Sequence, residues 1–185
     1  KGHSTIRFAD IPGTDGRSIL EAMQKSGWAI ERFVDWDKHT IFPYLTYDQI
    51  KDRGDQTVSF AVVRDPIDRL IASVKLSGLC EDQEDLCVFL SENSEPPETH
   101  EKYFDLQTKF MGPHTIVYRY EDEYEDCIRA LKLGGYINLD LDVPLLSCDS
   151  KQFEVDKDEI RKDLMRARKW YLDDYRDLSY MPSSS

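Results

Sequence analysis

The chain has 185 residues, 40% hydrophobic and 11% aromatic, which is enough apolar content to close a core and too much for a disordered segment. Lys and Arg number 24 against 36 Asp and Glu, a net charge of −12, which argues against a nucleic-acid or anionic-membrane binder because both want a basic face. An anionic ligand must then be held by a local cluster of donors, which suits a small phosphate better than a long sulfated polyanion.

Taken in chain order, Thr5–Ile11 has the pattern of a short strand leading into Pro12-Gly13-Thr14-Asp15-Gly16-Arg17-Ser18. Ile19–Ser26 reads as a helix, with Gly27 as the residue that ends it. A strand, a glycine-containing loop and a helix N-terminus make a phosphate cradle from backbone donors and the positive end of a helix dipole. The loop is not a Walker A motif. With Gly16-Arg17-Ser18 on the last three positions of G-x-x-x-x-G-K-[ST], Ile11 stands at the first glycine and Arg17 at the lysine. A small-molecule kinase using ATP and Mg²⁺ is disfavoured accordingly.

Trp28–Val34 reads as a second strand, Asp35–Thr40 as a polar stretch containing His39, and Thr46–Ile50 as a short helix. The central signal follows. Val58–Val63 is an apolar, β-branched run of strand length, the pattern of a strand covered on both faces. Asp65 is a good N-cap and Pro66 suits the first helical position, where no backbone donor is needed. Ile67, Leu70, Ile71 and Val74 then recur at helical spacing. Arg64 is thereby left at the carboxyl end of a strand beside a helix N-terminus, a plausible phosphate site. The plainer alternative is a strand–helix turn whose Arg64 pairs with a surface carboxylate.

Beyond it, Asp85–Leu90 reads as a short helix and Ser91–Glu98 as an exposed acidic loop, either a lid or a surface excursion. Thr115–Glu121 reads as a strand and Asp122–Leu133 as a helix. Asp156–Tyr175 is expected to be the longest helix, with Ile160, Leu164, Ala167 and Tyr171 as its packing stripe. Arg161, Lys162, Arg166, Arg168 and Lys169 fall largely on its other faces and read as a solvated surface. Cys80, Cys87, Cys127 and Cys148 lack a C-x-x-C spacing and histidines at zinc-ligand distance, so no metal site is expected. Cys80 and Cys87 could close a local disulfide, although free thiols of a reducing cytosol are the favoured reading. No apolar run reaches membrane-spanning length and no signal peptide is visible, so a cytoplasmic chain without a membrane segment is expected, with an upstream anchor left open. One domain over residues 4–180 with a tail at 181–185 is the simplest organisation.

Val-Val-Arg-Asp-Pro-Ile-Asp-Arg-Leu, residues 62–70, resembles the 3′-phosphate-binding segment of sulfotransferases that use 3′-phosphoadenosine-5′-phosphosulfate (PAPS), closest to the carbohydrate and membrane-associated branch with its V-R-[DN]-P-x-[DE]-R-[LF]-x-S. The loop at 11–18 resembles the same family's I-P-K-[TA]-G-G-T-S, matching at Ile11, Pro12, Thr14, Gly16 and Ser18. It departs at Gly13, where the family has lysine, at Asp15 for glycine and at Arg17 for threonine. The family's serine eight residues past the arginine falls on Ala72, with Ser73 beside it. Leu106, Gln107, Phe110 and Met111 match an H-x-x-[PL]-Q-x-x-[FY]-[LM] element, and residues 171–180 resemble a closing Y-x-x-D-Y-x-x-[FL]-x-Y.

The resemblance implies an α/β fold with a mostly parallel sheet flanked by helices, related to P-loop nucleotide folds. It implies PAPS as co-substrate, its desulfated product 3′-phosphoadenosine-5′-phosphate (PAP) as ligand, no metal and no nucleic acid, and a hydroxylated acceptor on a carbohydrate or small molecule. Gly13, Thr14, Asp15, Gly16, Arg17 and Ser18 would line the phosphosulfate loop, and Arg64 with Ser73 would hold the 3′-phosphate. In the family the lysine stabilises charge developing on the leaving phosphate, a task left here to Arg17. His39 is the candidate base for the acceptor hydroxyl, because a histidine titrates in the right range. Lys151, in the loop expected over Asp140–Lys151, could approach a nucleotide phosphate. The closing tyrosines would dock the last helix. A degenerate relative that binds nucleotide or protein without turnover is the alternative.

Overall fold

The computed structural model describes residues 6–28, 33–35, 40–42, 58–99, 102–144 and 153–180. Strands β1 (Ile6–Ala9), β4 (Val58–Val63) and β5 (Ile116–Arg119) form a parallel sheet in the order β1-β4-β5. Its register pairs Phe8 with Phe60 and Val62 with Tyr118. A separate antiparallel ladder joins β2 (Phe33–Asp35) to β3 (Thr40–Phe42). Of the strand expected over Trp28–Val34, Phe33 and Val34 fall in β2, while residues 29–32 and the helix expected at Thr46–Ile50 lie outside the described residues.

Alternation along the strands sends neighbouring side chains to opposite faces. On one face Phe8, Phe60 and Val62 pack with Ile19, Ala22 and Met23 of α1 (Gly16–Lys25) and with Tyr124, Cys127 and Leu131 of α4 (Tyr124–Leu133). On the other, Ala9, Ile11, Ala61 and Val63 meet Phe110, with Tyr103 and Tyr180 against the cluster. A third cluster joins α2 (Pro66–Ser77), α3 (Gln83–Glu92), α5 (Arg161–Ala167) and α6 (Leu172–Asp177) through Leu70, Val74, Leu86, Leu164 and Tyr175. Among the described residues the fold is therefore α/β, a small parallel sheet flanked by helices. No helix among them is long and apolar enough to cross a membrane.

Local signals account for most of these elements. Asp65 caps α2 by accepting from the amides of Ile67 and Asp68, at 3.2 and 3.1 Å, with Pro66 first in the helix. Asp82 caps α3 through the Asp85 amide at 2.8 Å. The one long helix expected over Asp156–Tyr175 is instead α5, a 3₁₀ turn at Arg168–Tyr171 and α6. The stripe itself holds, with Ile160, Leu164, Ala167 and Tyr171 all buried. What breaks the helix is tertiary: the Tyr171 hydroxyl donates to the Phe104 carbonyl at 3.0 Å, and Asp174 is fully buried to reach another backbone. The basic residues Arg161, Lys162, Arg166 and Lys169 are exposed. Cys80, Cys87 and Cys127 are free thiols, and burial pushes those of Cys80 and Cys127 up to about 11 and about 12.

Candidate functional site at the strand carboxyl ends

All three parallel strands end on the same edge of the sheet, and the segments that follow them converge there. In open α/β sheets this carboxyl edge is where ligands bind. The central position belongs to Arg64, the residue after β4. Its Nη1 donates to the Gly13 carbonyl at 3.2 Å, and its guanidinium lies 4.3 Å from the centre of the Tyr120 ring. One side chain therefore touches the segments that follow the other two strands. Its backbone is held as firmly: the Arg64 amide donates to Gln107 Oε1 at 2.9 Å, and Gln107 Nε2 donates to the Arg64 carbonyl at 2.7 Å.

Gln107 is itself fully buried and anchored, its amide donating to Asp174 Oδ2 at 2.8 Å and that of Thr108 to Asp174 Oδ1 at 3.3 Å. A carboxylate on α6 thus fixes the 3₁₀ turn at Gln107–Phe110, which fixes the peptide that carries Arg64. The same edge is closed by Tyr120, whose amide donates to the Val63 carbonyl at 2.7 Å, and by Glu121, which accepts from the Asp65 amide at 2.6 Å. The Tyr180 hydroxyl bridges Glu121 Oε2 and the Val63 carbonyl at 2.7 and 3.2 Å. Burial raises the Asp65 carboxyl above its usual range, although the two capping amides oppose the shift.

The β1–α1 loop is built differently. Its tight turn has the Thr14 amide and hydroxyl both donating to the Ile11 carbonyl, at 3.3 and 2.8 Å. Gly13 has φ +85° and packs directly on α2; a Cβ there would lie 2.9 Å from both the Arg69 carbonyl and Ser73 Oγ. Arg69, fully buried, donates through Nε to the Pro12 carbonyl at 2.8 Å, and through its other nitrogens to the carbonyls of Asp105 and Lys102. Asp15 enters α1 in the left-handed conformation at φ 59°. Its carbonyl accepts from the Tyr124 hydroxyl at 3.1 Å, and its Oδ1 from Ser18 Oγ at 3.4 Å. The first-turn amides of α1 have no partner within the helix, which leaves donors at the end of α1 that follows β1.

Beneath that turn sits Asp10, the residue after β1, 6% exposed. Its Oδ1 lies 2.5 Å from where a Cβ on Gly16 would be, so only glycine lets the helix start this close to the carboxyl. Its Oδ2 is buried with no hydrogen-bond partner among the described residues. Burial drives the carboxyl up to about 7; Arg17 opposes the shift and Asp15 adds to it.

The loop residues Gly13 to Ser18 and Arg64 are thus brought together. Arg17 is the exposed one, on the first turn of α1, whereas Thr14, Asp15, Gly16 and Ser18 are buried. Ser73 is also fully buried, its hydroxyl set against the Pro12 carbonyl at 3.4 Å, and Ala72 lies beside it, 3.4 Å from the Gly13 Cβ position. His39 and Lys151 lie outside the described residues. Sequence reading gave no role to Asp10, Gln107, Tyr120 or Tyr124. Gln107 stood in a recognisable motif, but its partner is 43 residues away in the chain, a separation that pattern alone cannot bridge. No protein-family model, curated protein or solved structure matches this chain, so the site rests on its own geometry.

Proposed function

We propose that this edge binds the adenosine bis-phosphate portion of PAPS, and that the chain transfers the sulfuryl group to a hydroxyl of a carbohydrate or small-molecule acceptor within a P-loop-like sulfotransferase fold. The observation that carries the reading is the Arg64–Gly13 contact. It joins at 3.2 Å the two segments, 51 residues apart, that resemble the two phosphate-binding motifs of that family. A cation at a strand end beside the donor-rich start of α1 is the arrangement that phosphates favour.

In this reading the amides from Thr14 to Ser18 take the 5′-phosphosulfate and Arg64 takes the 3′-phosphate. Arg17 meets the charge that develops on the leaving phosphate as sulfur passes to the acceptor oxygen. His39 accepts the proton that this oxygen loses. A second reading, nucleotide binding without turnover, is favoured by Gly13. Where the family has lysine, this backbone is left-handed and its Cβ direction is filled by the Arg69 carbonyl, so a side chain there would displace α2 or the loop.

Calorimetric titration of PAP tests the site. Wild type should bind, and Arg64→Ala should bind about 10–100-fold more weakly, as expected for losing a charge-assisted hydrogen bond. Equal binding by the variant, or none by folded wild type, overturns the assignment. Sulfuryl transfer from PAPS to a panel of sugars and phenols then separates the readings, since PAP binding with no product on any acceptor supports the second.

A further inference from the structure

Asp10 has no part in the proposed transfer, yet it is the most conspicuous polar group under the loop. Three observations define it. Its side chain follows Phe8 onto the α1–α4 face of the sheet, to which β4 contributes the apolar Phe60 and Val62. Gly16, the first residue of α1, packs against its Oδ1, while its Oδ2 is buried without a hydrogen bond to any described residue. Among the described residues the ionisable groups that act on it are Asp15 from the loop and Arg17 from α1; Tyr124 of α4 bonds the Asp15 carbonyl, and burial pushes its own hydroxyl well up. Of these only Arg17 carries a positive charge, and it is exposed.

An anion seated on the first turn of α1 would therefore sit next to a buried carboxyl, and the two negative charges would oppose each other across Gly16 while the nearby Arg17 stays exposed. Two like charges in so poorly solvated a place cannot both persist, and the carboxyl can shed its charge by taking a proton. We propose that Asp10 couples the loop to protons: an oxyanion and one proton bind together, the proton residing on Asp10, which acts as a positioning residue beneath the anion. The inference rests on reading the loop as an oxyanion cradle, and it adds that the cradle's affinity is set by pH through one named side chain.

The linkage has a definite sign. In the free protein the Asp10 carboxyl is raised to about 7, and a bound anion raises it further. Below neutrality the proton is already in place and the anion binds at full strength. As pH rises past 7 each binding event must draw a proton from solvent, and affinity falls. With a bound-state value two units or more above the free one, affinity drops about tenfold between pH 6 and pH 8.

The test uses two probes, PAP and inorganic pyrophosphate, on the whole chain. Titrations at pH 6 and pH 8 in buffers of different ionisation enthalpy should show uptake of nearly one proton per anion at pH 8. Asp10→Asn should bind with little proton uptake, and wild type should lose about tenfold between the two pH values relative to this variant. Because the substitution could disturb the loop, the second measurement is on wild type alone: the ¹³C-carboxyl resonance of Asp10 should titrate near neutrality and move to higher pH when pyrophosphate is added. A resonance that does not move on saturation, or proton uptake unchanged in Asp10→Asn, overturns the coupling. Pyrophosphate binding with coupling but no PAP binding sinks the nucleotide assignment and leaves this inference standing. If neither anion binds folded protein, both fall.

Discussion

Two strand–helix junctions lie side by side on the sheet edge and are held in opposite ways. The start of α2 is capped from within: Asp65 caps the helix that Pro66 begins, with acceptor and amides two and three residues apart, while Gln107 and Glu121 hold the Arg64 peptide and the Asp65 amide from a distance. The β1–α1 loop has no such cap. Asp15 stands at the capping position, but its side chain bonds no helix amide and its backbone is left-handed. Beyond the Thr14–Ile11 turn, what holds the loop comes from elsewhere: Arg69 on the Pro12 carbonyl, Ser73 against the same oxygen, Tyr124 on the Asp15 carbonyl. The cap of the first junction lies within four consecutive residues. The second exists only because α2 and α4 are already in place around it, so the loop with the richest set of donors is also the one most dependent on the rest of the fold.

The sharpest way to break this contrast is Arg69→Met. The side chain is fully buried and supplies donors to three backbone carbonyls, at Pro12, Lys102 and Asp105. Removing the guanidinium leaves those oxygens short of donors in a low-dielectric setting, and urea unfolding should register a loss of about 3 kcal/mol or more. A loss below about 1 kcal/mol would mean that the loop supports itself.

Next in size, Gly13→Ala and Gly27→Ala compare two left-handed glycines. Gly27, at φ +96°, has nothing within 4 Å of its Cβ position, so alanine there bears only the conformational cost of about 1 kcal/mol. At Gly13 the same cost is joined by contacts at 2.9 Å with the Arg69 carbonyl and Ser73, and about 3 kcal/mol is expected from the same denaturation experiment. Equal losses at the two sites would show that the loop rides free of α2. The mildest of the series is Asp65→Ala, where loss of a local cap should cost about 1 kcal/mol while the β1–α1 loop keeps its structure. That outcome is checked by unchanged amide protection at residues 11–18 by hydrogen exchange.

The same division explains what could be read from the residues alone. Val58–Val63, Asp65, Pro66 and the α2 stripe are set by neighbours in sequence, and the structure follows them to the residue. So do the packing stripe of Ile160, Leu164, Ala167 and Tyr171 and the docking of the closing tyrosines, with Tyr171 and Tyr175 buried. The continuity of the last helix was not legible. Its interruption at Arg168–Tyr171 serves contacts with Phe104 and with the Gln107 turn, more than 60 residues away. Nor was the burial of Asp10, since an aspartate at the end of a strand ordinarily reads as solvent-facing, and only the close approach of Gly16 shows otherwise. Arg69 stood in the recognised motif; the hydrogen bonds it makes to backbone carbonyls depend on loops that bear no sequence mark of the partnership.

The path from Asp174 through Gln107 to Arg64 has a consequence for how the protein is made. The carboxylate that ultimately sets the peptide of the sheet-edge arginine is translated 110 residues after it, a separation that follows from their numbers. Domains fold as units, and long-range pairings form late. A nascent or prematurely ended chain can therefore own the sheet and the glycine loop while its key cation is still unaligned. Arg64 is then aligned only once α6 has been made and docked.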